Sequence, residues 1–81
     1  MPRITYFVAL PYEASGRGRF RAGEAVPAQS ATHAMRLAEK MGEKGGAVAF
    51  SRTGDPDFGD WEDAVVLGTY GHVPIELALV A

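Results

Sequence analysis

Ser30-Ala31-Thr32-His33-Ala34-Met35-Arg36-Leu37-Ala38-Glu39-Lys40-Met41-Gly42-Glu43-Lys44 is the stretch whose reading decides the fold. Ala31, Ala34, Met35, Leu37, Ala38 and Met41 recur at three- and four-residue spacing, and His33, Arg36, Glu39, Lys40 and Glu43 take the opposite side. That periodicity predicts an amphipathic helix over Ser30–Lys44. Ser30 offers a hydroxyl to a free N–H of the first turn, Lys40 and Lys44 suit the negative end of the dipole, and Gly45-Gly46 supplies a stop. Ala34, Leu37, Ala38 and Met41 are expected to be buried, with Arg36, Glu39, Lys40 and Glu43 exposed. The alanines bring this helix close to whatever it covers.

Strand signals flank the helix on both sides. Ile4–Leu10 is aromatic and β-branched, carries apolar groups on both alternating sets, and meets Pro11, which predicts a central strand ending there. Glu13–Gly18 reads as a turn, and Arg19–Val26 as a return strand at an edge, interrupted by Gly23 and closed by Pro27. After the helix come Ala47–Arg52 and Ala64–Tyr70, joined by a loop over Thr53–Trp61. The expectation is an α+β fold of order β-β-α-β-β, an antiparallel sheet with one helix packed on one face.

Eighty-one residues make one domain, 1–81, whose core is thin, because a chain this short buries only about 60–65% of its unfolded surface. No cysteine is present, which excludes thiol nucleophiles, thiolate metal sites and disulfides, and suits a reducing compartment. A net charge of −2 gives no general pull toward nucleic acid or anionic lipid. The opening residues lack the form of a signal peptide, and Val73–Ala81 is apolar but far shorter than the roughly 20 residues of a spanning helix. The chain is therefore expected to be soluble and cytoplasmic, with no membrane partner and no cofactor.

Three segments resemble those of short uncharacterised bacterial proteins. They are Gly46-Ala47-Val48-Ala49-Phe50-Ser51-Arg52-Thr53-Gly54-Asp55-Pro56, then Glu62-Asp63-Ala64-Val65-Val66-Leu67, and Gly71-His72-Val73-Pro74. The opening Tyr6-Phe7-Val8-Ala9-Leu10-Pro11 is similar to theirs too. The resemblance carries no activity and no functional residues.

Asp55, Asp57, Asp60, Glu62 and Asp63 place five carboxylates within nine residues. Tested as a calcium loop they fail: Gly59 falls one place early, and Val66 stands where the twelfth-position Glu belongs. A solvated hairpin loop built from turn formers is the expectation, and no metal site is assigned. Trp61, beside Phe58, either pins this loop to the core or anchors a partner; pinning is favoured.

Arg17, Arg19 and Arg21 alternate along the return strand, so their guanidiniums would share one face and offer a clamp for phosphate or carboxylate. Edge protection by charge is the simpler reading. A third reading has these arginines meet the acidic loop, within one chain or across a dimer; edge protection is favoured over it. Its basis is that residues 1–21 carry four Arg against one Glu, and residues 55–81 carry six acids and no Lys or Arg. His33 and His72 have no triad or metal spacing around them, and no catalytic residue is assigned.

A helix about 10–12 Å wide covers only two or three strands, yet the strands are apolar on both faces. Something must shield the second face: the tail at 73–81, a second copy, or another protein. The expected function is a non-catalytic interaction module that forms a homodimer. The alternative is a nucleic-acid or phosphate-ligand binder using the Arg17–Arg21 hairpin; the acidic charge makes nucleic acid the weaker choice.

Overall fold

The computed structural model of the chain describes residues 3–14, 16 and 19–73. The order is β1 (Ile4–Ala14), β2 (Phe20–Ala22), β3 (Val26–Ala28), α1 (Ala31–Gly42), β4 (Gly46–Asp55), β5 (Asp60–Trp61) and β6 (Val65–Gly71). Among the described residues all pairings are antiparallel, in one six-stranded sheet. The α+β class stands, but three strands precede the helix, not two.

Two long strands, β1 and β4, form the spine, paired from Ile4↔Gly54 to Tyr12↔Gly46. Each outer strand is broken in two. β3 and β2 flank successive parts of β1, and β6 and β5 flank successive parts of β4. The expected return strand over Arg19–Val26 is thus two short pieces separated at Gly23-Glu24-Ala25, with Pro27 inside the second.

Pro11 does not end β1, contrary to expectation. Its carbonyl accepts the Gly23 N–H at 2.8 Å. The N and O of one strand residue point to the same side, so the missing donor of Pro11 faces the gap between β3 and β2, where no ladder bond is lost. Pro27 is tolerated because β3 is an outer strand.

α1 starts where Ser30 caps it: the Ser30 Oγ accepts the His33 N–H at 3.1 Å. His33 returns the favour, its Nδ1 accepting the Gln29 N–H at 3.1 Å. That assigns His33 to the helix terminus. The helix closes at Gly42, two residues before the expected end, and continues as tight turns through Lys44 and Gly45.

The fully buried centre is made of small residues. Ala34 and Ala38 of α1 meet Ala9 of β1 and Ala47 and Ala49 of β4, all five without exposed surface. Phe7, Ala28, Met35, Leu37, Met41, Leu67 and Tyr70 ring this centre, each partly buried. Ala34 and Ala38 are buried as the periodicity predicted, and Arg36, Glu39, Lys40 and Glu43 are exposed. Leu37 and Met41 are only half-buried, because the helix overhangs a narrow sheet and they close its margin.

The second expected loop boundary also moves. β4 runs past Arg52 to Asp55, and Asp60–Trp61 pairs back onto Gly54–Asp55. The Glu13–Gly18 turn and the apolar tail lie partly or wholly outside the described residues, which stop at Val73. No helix among the described residues is long and apolar enough to cross a membrane.

Candidate functional site

α1 covers the sheet face carrying Ala9, Ala47 and Ala49. The alternate residues of the same strands form the opposite face: Tyr6, Val8 and Leu10 from β1, Val48, Phe50 and Arg52 from β4, and Val66 from β6. No described element packs over it, but its side chains shelter one another: Val48 is buried, and Val8, Leu10, Phe50 and Val66 are half-buried. Two adjoining hollows of about 300 and 320 Å³ open there. Leu10, Tyr12, Val48, Phe50, Ala64 and Val66 line the first, Tyr6, Val8, Phe50 and Trp61 the second, and Arg52 both. Among the described residues, Arg52 is the one charged side chain in either lining.

The strand registers assemble the polar end of this groove. Tyr6 lies directly across from Arg52 in the β1–β4 ladder, and Trp61 across from Gly54 in the β4–β5 ladder. Gly54 is required there, since a Cβ would stand 2.6 Å from the Trp61 ring. The indole therefore lies over bare backbone, with its centroid 5.6 Å from that of Tyr6 and the planes tilted by 35°. The Arg52 guanidinium sits 5.8 Å from the Trp61 centroid, within cation–π range. Among the described residues no carboxylate pairs with Arg52.

The acidic segment is divided by the fold. Asp55 is 7% exposed, not solvated as expected. Its Oδ1 accepts the Asp57 N–H at 2.9 Å, and its carbonyl accepts the Phe58 N–H at 3.2 Å, so it builds the turn. Asp57, Asp60, Glu62 and Asp63 are exposed. Among the described residues no group of three or more His, Asp or Glu is arranged to hold a metal ion. Of the two aromatics, Trp61 pins the segment onto Tyr6, whereas Phe58 is 74% exposed and pins nothing.

Asn keeps the acceptor that Asp55 uses. Asp55→Asn with Asp57→Asn is therefore expected to leave the melting temperature within about 2 °C, with or without calcium, whereas Asp55→Ala loses about 1 kcal/mol. Thermal melts of both variants check this. Tight calcium binding by calorimetry, abolished in the double variant, would sink the turn reading.

Among the described residues, the arginine that meets the acidic segment is Arg3, not Arg19 or Arg21. The Arg3 guanidinium lies 2.7 Å from Glu62 and 3.8 Å from Asp60. These exposed pairs contribute at most about 1 kcal/mol. Arg21 pairs with Glu13 on the neighbouring strand at 3.4 Å, Arg19 is exposed, and Arg17 lies outside the described residues. Exposed His72 follows β6, where its backbone N–H bonds the Gly45 carbonyl at 2.9 Å.

Arg52 and Tyr6 escaped the sequence reading as site residues. Their signal was the alternation Val48-Phe50-Arg52, which sets one cation at the end of an apolar strand face.

No family model, curated protein or solved structure matches the chain. The functional reading rests on the geometry.

Proposed function

We propose that the chain is a non-catalytic interaction module that pairs with a second copy of itself through the open face of its sheet. The observation that carries this reading is a continuous apolar face, unshielded by any described element, with Arg52, Trp61 and Tyr6 grouped at one end. Those three residue types dominate the energetic centres of protein interfaces, because each contributes large contact area with a directional polar group. Exposed apolar surface of this extent costs free energy in water, and a two-fold pair buries the same patch on both copies at once. A monomeric sheet left with a half-open apolar face also invites aggregation through that face, which closed pairing prevents.

Sedimentation equilibrium tests the reading. The intact chain is expected to be a dimer at micromolar concentration that persists up to about 0.5 M salt, since burial of apolar surface is not screened. Val8→Lys, at the middle of the open face, is expected to give a monomer with an unchanged circular dichroism spectrum. A monomeric intact chain at 100 µM or above would sink the homodimer. Binding to an oligonucleotide that collapses as salt rises would favour the phosphate-binding alternative instead.

A further inference from the structure

We propose that Arg52 is the recognition residue of this face and that its occupant is the 75–80 segment of a second copy, held by an ion pair between Arg52 and Glu76. The inference rests on the dimer reading and names its contact.

Size argues for an added element. Four strand widths by some seven residues give a face of roughly 400 Å² in projection. A stable interface buries about 800 Å² of accessible surface per partner. A face of this footprint, whose Val48 is buried and whose Val8, Leu10, Phe50 and Val66 are half-buried, has little accessible surface left to contribute. Ile75-Glu76-Leu77-Ala78-Leu79-Val80 supplies further apolar area, and Glu76 is its sole polar side chain.

Charge complementarity selects the pairing. The groove has one cation in an apolar lining, without a carboxylate among the described residues. The segment has one anion in an apolar run. Arg3, the other arginine at this end, already engages Glu62 and Asp60. Arg52 presents a planar fork of donors suited to a carboxylate, and its cation–π contact with the Trp61 ring holds the guanidinium at this end of the groove.

Reach assigns the segment to the second copy. Gly71 pairs with Gly46, and the His72 N–H bonds the Gly45 carbonyl, so Val73 leaves the sheet at the end opposite Arg52. Six strand residues from Gly46 to Arg52 span about 20 Å, whereas three extended residues from Val73 to Glu76 cover about 10 Å. Coming back toward Arg52 first requires a reversal of direction, and a turn alone takes about four residues. The three residues after Val73 thus cannot also recover the distance that the Arg and Glu side chains leave unbridged. The segment's side opposite Glu76, made of Ile75, Leu77 and Leu79, is wholly apolar, and its Glu76 side adds Ala78 and Val80. Such a strand is better covered between two bodies than on the surface of one.

The test is a charge swap read by sedimentation equilibrium on the full chain: intact protein, Arg52→Glu, Glu76→Arg, and the double reversal. Each single variant is expected to raise the dimer dissociation constant about tenfold or more, and the double reversal to bring it back within about threefold of the intact chain. Arg52 is exposed, so the variants should fold; matching thermal melts at a concentration where all are monomeric confirm it. A dimer indifferent to either single reversal, or one that the double reversal fails to rescue, overturns the Arg52–Glu76 contact while leaving the homodimer standing. A monomeric intact chain in which the swap instead lowers and then restores the melting temperature overturns exchange between copies, because it places Glu76 on its own Arg52.

Discussion

Ala38→Leu is expected to destabilise the chain by about 3 kcal/mol or more, the lower bound corresponding to a fall in melting temperature of about 12–24 °C. Ala38 has no exposed surface, and it faces Ala9, Ala47 and Ala49, which have none either. Alanine against alanine sets the helix down on the sheet with no side chain able to move aside. Three more carbons at Ala38 must therefore lift α1 or push β1 and β4 apart. Leucine and alanine differ little in helix propensity, so any large loss reports packing and not helix formation. A urea or thermal melt measures it directly. An unchanged or raised stability would mean that space exists between helix and sheet, and that the small-residue contact is not what holds them.

Gly46→Ala is expected to cost about 3 kcal/mol as well, through backbone and not side-chain collision. Gly46 opens β4 and pairs with Gly71. A Cβ there would coincide with the His72 carbonyl oxygen, which belongs to main chain held by the 2.9 Å His72–Gly45 hydrogen bond. Relief requires the end of β6 to detach from β4, which removes the cover that Tyr70 gives the core margin. Hydrogen exchange would then show faster exchange at Thr69–His72 than in the parent, alongside the lower melting temperature. A variant that melts within about 1 kcal/mol of the parent, with β6 still protected, would refute the collision.

These two positions differ in how far sequence alone reaches. Ala38 belongs to a helix that Ser30, the three- and four-residue spacing and the following glycines specify by themselves. Its alanines announce a close approach before any partner is known. The antiparallel layout was equally local in origin, since apolar alternation and turn residues mark strand after strand. Gly46 is different, because nothing nearby says that the His72 carbonyl will press on it.

The strand limits show the same division. Proline removes a donor wherever it stands, and sequence cannot tell whether that donor would have faced a ladder or a gap. At Pro11 it faces the break between β3 and β2, so β1 runs on to Ala14. Asp55 likewise reads as one carboxylate among five, and only the β4–β5 hairpin buries it as the acceptor that closes the turn.

The open face was legible as a deficit: strands apolar on both sides and one helix to cover them. Composition, helix span and the uncovered face are consequences of neighbouring residues and follow from the chain. The joining of Tyr6, Arg52 and Trp61 does not. These residues meet because the β1–β4 register sets Tyr6 opposite Arg52 and the β4–β5 register lays Trp61 over Gly54. Register is decided by the packing of the whole sheet, where a one-residue slip would turn every side chain to the other face.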